Sequence, residues 1–276
     1  MTAYDPESDG AKMSFAKDMS YADYLGLDGI LGAAKPMSSA HDEMLFIVQH
    51  QTSELWMRLI LHELDAARQL MQKGQPDQVF KMLSRVARIF EQLNNAWDVL
   101  RTMTPSDYTT FRDDLGSSSG FQSHQYRLIE FMLGNRNTAM MKVHEHRPAL
   151  HRMLGYELTQ PSLYHLALRA LEAELGLKFA DTTYRMDEPH VSDPDVIAAW
   201  TIVYRDPQKY WTLYEMAEKF VDLEDYFRRW RFNHVTTVER VIGFKRGTGG
   251  TSGVTYLRRM LEVELFPELW HMRGGL

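Results

Sequence analysis

Apolar residues recur at three- and four-residue steps along most of this chain, the period of amphipathic helices. Between Met44 and Met71 they occupy more than one side (Leu45, Phe46, Ile47, Val48, then Leu55, Trp56, Met57, Leu59, Ile60, Leu61), which predicts a helix enclosed by other helices. From Asp77 to Met103, Val79, Met82, Val86, Ile89, Leu93, Trp97 and Leu100 repeat almost in heptads, as in a bundle helix. The longest pattern runs from Asp206 to Gly243. Asp206-Pro207 has the form of a capped start and Gly243 that of a left-handed stop. Leu213, Ala217, Phe220, Phe227, His234, Val238 and Val241 lie on one stripe of it.

Shorter elements are marked by caps and breakers. Thr104-Pro105-Ser106-Asp107 predicts a capping box and a helix ending by Gly116, with Tyr108 and Arg112 four residues apart on one face. Ser117 to Gly120 reads as a loop, Phe121 to Leu133 as a helix stopped by Gly134-Asn135, and Pro161 to Leu175 as another. Lys178 to Asp195, with two prolines, is an excursion before Val196 to Tyr204 leads into the long helix. Val254 to Phe266 closes the chain as a helix stopped by Pro267. The polar start reads as a flexible arm, residues 1–19, before a single all-helical domain over residues 20–276. The fold class is all-α, a bundle of long helices.

Composition removes several functions. A net charge of −6 over 276 residues lacks the basic excess of a nucleic-acid binder. No apolar run is long enough for a membrane span, and Met1 to Ser20 lacks a signal peptide's apolar centre, so a cytoplasmic location is expected. The chain has no cysteine, which excludes disulfides, thiolate metal sites, iron–sulfur clusters and cysteine nucleophiles together. Any metal falls to His, carboxylate or Tyr.

Among the candidates for chemistry, a lone His234 on an apolar stripe is either a hydrogen-bonded core residue or a rigidly held metal ligand. Phe46, His50, Glu54 and Met57 share one line of their helix, but the second Glu-x-x-His helix that a two-metal bundle site requires is missing. Arg112 beside Tyr108 suits a carboxylate gripped by two hydrogen bonds, against the plainer reading of a solvated pair with Asp113 and Asp114. His144, His146 and His151 do not share a helical face and read as a surface cluster. Tyr21 and Tyr24 read as packing a short helix onto the body. Gly247-Thr248-Gly249-Gly250-Thr251-Ser252-Gly253 either closes over an anion or is a flexible loop; it follows a helix and lacks the Lys-Ser/Thr ending of a nucleotide phosphate loop.

Taken together, Phe46-x-x-x-His50-Gln51-Thr52-x-Glu54-Leu55-Trp56, Tyr108-x-x-Phe111-Arg112-Asp113, Ser119-Gly120-Phe121-Gln122-Ser123, and His234 followed by Gly247-Thr248-Gly249-Gly250-x-Ser252-Gly253 resemble the tryptophan 2,3-dioxygenase family from about Ser20 onward. The resemblance implies an all-helical homotetramer with one haem b per subunit that opens the indole ring of L-tryptophan with O2 to give N-formyl-L-kynurenine. It implies His234 as the proximal iron ligand, His50 as the distal residue meeting the indole N–H, and Phe46 packed beside it. Arg112 would bind the substrate carboxylate, Tyr108 would line the pocket, and Thr248 would hold the ammonium and carboxylate end. Ser119 and Gly120 would sit at the haem edge, Trp97 would stand near the haem, and Tyr21 and Tyr24 would reach into a neighbouring subunit's pocket. A haem-binding oxygen sensor is the alternative of a different class, and it would not need Tyr108, Arg112 and Thr248.

Overall fold

A computed structural model describes residues 4–276, the side chains of Pro76 and Asp77 excepted, so the first three residues of the expected arm lie outside it. Among the described residues there are twelve α-helices and no strand. They are α1 (Tyr21–Leu25), α2 (Leu27–Leu31), α3 (His41–Gln72), α4 (Pro76–Leu100), α5 (Pro105–Phe111), α6 (His124–Leu133), α7 (Pro148–Leu158), α8 (Leu163–Leu175), α9 (Pro194–Arg205), α10 (Trp211–Val241), α11 (Val254–Met260) and α12 (Pro267–His271).

The frame is made by α3, α4 and α10, with α4 packed along both of the others. Their apolar stripes meet in one core: Ile60 and Leu64 from α3, Val86, Phe90 and Leu93 from α4, and Phe220 and Phe227 from α10 are all almost wholly buried. Phe90 and Phe227 meet at 5.0 Å between ring centroids, a tilted contact that adds to their area burial. The heptad reading of α4 is therefore its inward face. The expected enclosure of α3 holds for its second half only; Met44, Val48 and Leu55 stay exposed on the first.

Three boundaries differ from expectation, each for a physical reason. The long helix begins at Trp211, not Asp206. Asp206 is the residue that closes α9, and its Oδ1 accepts from Lys209 N at 3.2 Å, so its capping capacity serves a turn that swings α9 into α10. The predicted stop holds, since Gly243 has φ 69°, a left-handed value that favours glycine. The Val254–Phe266 helix ends at Met260 because the chain turns inward to bring Leu265 N and Phe266 N to the carboxylate of the buried Glu224 on α10, at 2.7 and 3.0 Å. Pro267, expected as a stop, opens α12 at a position where its missing N–H costs nothing.

Two readings of surface residues are corrected. His144 is buried at the end of the 3₁₀ turn Thr138–His144, which lies against α7, and only His146 of the three clustered histidines is fully exposed. Tyr21 and Tyr24 do not pack onto the body of their own chain; they are 76% and 77% exposed on α1, which Ser20 and Asp23 cap reciprocally.

Burial also makes stability depend on pH. His165 on α8 is enclosed, its Nδ1 has no hydrogen-bond partner, and burial, with Arg136 nearby, lowers its pKa from 6.5 to about 3. The unfolded chain therefore binds a proton below pH 6.5 that the fold refuses until about pH 3. Stability contributed here is complete above pH 6.5 and falls as pH drops through that window. In His165→Phe, the decline of unfolding free energy between pH 6.5 and 4 should be shallower by about 1.4 kcal/mol per pH unit. Urea titrations at pH 6.5, 5.5 and 4.5 measure it, and equal slopes in both proteins would remove His165 from the account.

Candidate active site

One deep, mostly apolar cavity gathers most of the residues singled out in the sequence. It holds about 1580 Å³ of atom-free space, its mouth included, and is walled by α3, α4, α6, α10, α11 and the loops at 118–121 and 247–253. Phe46, His50, Trp97, Tyr108, Ser119, Gly120, His234 and Thr248 all line it.

His234 projects from the third turn from the end of α10, held between two indoles. Trp97 of α4 stacks on it at 5.0 Å with an interplanar angle of 18°, and Trp230, one turn earlier on α10, lies 5.5 Å away. The imidazole keeps some accessible surface only because it faces the cavity. Burial, reinforced by His50, lowers its pKa to about 4, so at neutral pH the ring is uncharged and has a lone pair to donate. No hydrogen bond joins it to protein among the described residues, which removes the hydrogen-bonded core reading. Beside it, Asn233 is fixed by Arg101 and Asn94 through its amide, at 3.2 and 2.9 Å. Trp97 Nε1 is buried without a hydrogen-bond partner.

On α3 the four-residue register works as the sequence implied: Phe46, His50, Glu54 and Met57 all reach the cavity. His50 Nδ1 donates to Phe46 O at 2.7 Å, the carbonyl one turn back. This bond fixes the tautomer and leaves Nε2 as an acceptor, while burial lowers the pKa and keeps the ring neutral. The Phe46 ring lies 4.2 Å from His50 and 5.6 Å from Phe111, which wedges the imidazole in place. Glu54, weighed as a metal ligand, instead accepts from Gln125 Nε2 at 2.7 Å. No group of three or more His, Asp or Glu able to hold a metal exists among the described residues. A metal here would need a prosthetic group to supply its other ligands.

The capping box predicted at Thr104 is present: Thr104 Oγ1 accepts from Asp107 N, and Asp107 Oδ2 accepts from Thr104 N at 2.9 Å. The short, rigid α5 buries Tyr108 and Phe111 and delivers Arg112 at its end. Arg112 is not among the residues that line the cavity. Its guanidinium lies beside the Tyr108 hydroxyl and donates through Nη2 to Arg246 O at 2.9 Å; its Nε is buried with no hydrogen-bond partner. The glycine-rich loop is therefore anchored to α5. It is also anchored to the loop at Ser118, whose carbonyl accepts from Thr248 Oγ1 at 2.5 Å. A Cβ on Gly249 would come within 2.8 Å of Ser119 Cβ, so only glycine permits this close approach. Tyr21 and Tyr24 are not part of this cavity in their own chain.

Sequence reasoning missed the polar side of the cavity. Tyr126 and Arg127 of α6, Arg231 of α10 and Tyr256 of α11 all line it. Arg231 Nη2 donates to the buried Glu130 at 2.9 Å, and Arg127 donates to the same carboxylate. Removing one partner of such a buried pair costs about 3–5 kcal/mol. The only local signals were the three-residue spacings of Arg127 from Glu130 and of Arg231 from His234; the pairing itself joins residues a hundred positions apart.

A helical frame around a mostly apolar cavity, with neutral imidazoles from two different long helices facing into it, defines an all-α protein with a histidine-lined interior cavity. Comparison with known proteins then gives the family. A family model described as tryptophan 2,3-dioxygenase matches residues 6–187 and 191–276. Tryptophan 2,3-dioxygenase of Ruegeria pomeroyi is 76% identical over 275 residues, covering 99% of both chains. The proteins of that name from Ruegeria sp. (strain TM1040) and Bradyrhizobium diazoefficiens are 65% and 62% identical, covering 100% and 98% of this chain and 99% and 97% of theirs. The chain belongs to the tryptophan 2,3-dioxygenase family.

Proposed function

We propose that the chain converts L-tryptophan and O2 to N-formyl-L-kynurenine, with haem b in the cavity, and that it does so as a homotetramer. The observation that carries this reading is the pair His234 and His50, both neutral and His234 without a hydrogen-bond partner, lining one cavity of a chain that belongs to this family. The donor set suits haem: one uncharged imidazole with no protein partner, parallel to an indole, in an apolar chamber with an unpartnered Trp97 N–H. His234 would hold the iron, with Trp97, Ser119 and Gly120 against the ring. When bound, the haem supplies the activation of dioxygen, whose two atoms both enter the product across the indole C2–C3 bond.

The chain's own residues supply position. The His50 Nδ1–H is committed to Phe46 O, so Nε2 is the atom available to accept the indole N–H. Phe46 and Tyr108 offer the apolar walls against which a planar indole is held. At the other end of the substrate, Arg112 would turn its guanidinium to the carboxylate, with Tyr108 and Thr248 beside it. Two charged groups fixed there orient the reacting bond, which saves the entropy of finding that geometry during reaction. The exposed Tyr21 and Tyr24, without a place on their own chain, are consistent with an arm that enters a neighbouring subunit's pocket. The proposed organisation is a flexible arm, residues 1–19, leading into one catalytic domain, residues 20–276, whose first helix carries the two tyrosines.

The test is to reconstitute the chain with haem, reduce it without air, then add L-tryptophan and air and assay N-formylkynurenine by absorbance and mass. Haem uptake without product would favour the oxygen sensor. In the same assay His50→Ala should lower kcat by roughly ten- to a hundredfold, the worth of one orienting hydrogen bond, without abolishing turnover. Complete loss in a variant that retains haem would make His50 an essential base instead.

A further inference from the structure

Where α6 meets α10, two arginines share one glutamate. Arg127, Arg231 and Glu130 are 5%, 3% and 0% exposed. Arg231 Nη2 donates to Glu130 Oε1 at 2.9 Å, Asn135 Nδ2 donates to the same oxygen at 3.1 Å, and Arg127 Nη1 donates to Oε2. No other carboxylate pairs with either guanidinium among the described residues. Two positive charges and one negative leave the buried cluster at +1, and a buried charge without a counter-ion is costly.

The two arginines differ in what they have left. Arg231 gives its remaining edges to Tyr126 Oη at 3.3 Å and to Val263 O at 2.8 Å. Arg127 has five donors, of which one goes to Glu130, and its guanidinium lies beside the Tyr256 hydroxyl. Both Arg127 and Tyr256 line the cavity, so an anion held there meets both. Arg112, read above as the substrate's carboxylate partner, belongs to a different element and hydrogen-bonds to none of these groups.

We infer that Arg127, with Arg231 behind it and the Tyr256 hydroxyl beside it, seats a carboxylate of the cavity's occupant, and that this carboxylate is a haem propionate. The inference rests on the haem reading of the preceding section. It makes Arg127 a positioning residue for the ring that His234 would hold, and the propionate would neutralise the excess positive charge of the cluster.

The experiment compares haem with its dimethyl ester, in which both propionates are uncharged. The full-length apo chain is loaded with each in the absence of tryptophan, and transfer to apomyoglobin is timed. Wild type should release the ester roughly ten- to a hundredfold faster than haem. Arg127→Met should release haem as fast as wild type releases the ester, and Arg127→Lys should recover part of the difference. Equal retention of haem and ester by wild type overturns the seat while leaving the haem reading intact. Uptake of neither porphyrin overturns both. Normal haem retention by Arg127→Met together with a raised KM for tryptophan would assign the seat to the substrate's carboxylate and overturn the propionate assignment. Should Arg127→Met not fold, the wild-type comparison alone decides.

Discussion

Replacing His234 with alanine is expected to abolish haem retention and to lower product formation by about 10³-fold or more, while leaving the apo fold near wild-type stability. The two halves of this expectation come from the same geometry. As the only imidazole between Trp97 and Trp230, His234 has no substitute among its neighbours, and removal of a residue central to a catalytic unit costs several orders of magnitude. Yet the ring makes no hydrogen bond to protein and is neutral, its pKa lowered to about 4 by burial, so truncation strands no partner. The measurements are the Soret spectrum of the reconstituted variant, its turnover, and its urea midpoint beside that of wild type. Added imidazole, small enough to occupy the vacated space, should restore part of the haem spectrum. A normal spectrum with normal turnover in His234→Ala would overturn the ligand assignment.

Arg112→Met is expected to lower kcat/KM for L-tryptophan by roughly 30- to 1000-fold, or about 2–4 kcal/mol, without loss of haem. The reason is that the Arg112 guanidinium is anchored by Arg246 O, beside the Tyr108 hydroxyl, while Nε has no partner, an arrangement waiting for an acceptor. The discriminating substrate is tryptamine, which keeps the indole and the ammonium but has no carboxylate. Its slow turnover should be nearly the same in wild type and variant. If tryptophan and tryptamine lose equally, Arg112 acts by holding the glycine-rich loop in place and not by gripping a carboxylate. The Arg112 bond to Arg246 O is what makes that outcome a real alternative.

How far the sequence reaches is clearest from particular elements. By itself it determined the helices, because a 3.6-residue period and the caps are local: the stripes of α4 and α10, the Thr104–Asp107 box, the Gly243 stop, and the line of Phe46, His50, Glu54 and Met57 on α3. It also determined the family, since the spacing within each motif is a property of the chain alone. It misplaced the start of α10 and the end of α11, where Asp206 and Glu224 spend their side chains on turns instead of on helix ends. Only the tertiary structure decided what those residues face. It showed that His234 has no hydrogen-bond partner among the described residues, that His50 Nδ1 is occupied, that Arg112 anchors the glycine-rich loop at Arg246 O, and that Tyr21 and Tyr24 stay exposed on their own chain. The Arg127–Glu130–Arg231 cluster belongs to the same category. Its charge balance depends on α6 and α10 lying side by side, and charges a hundred residues apart in the chain interact only once packing has brought them together and excluded the water between them.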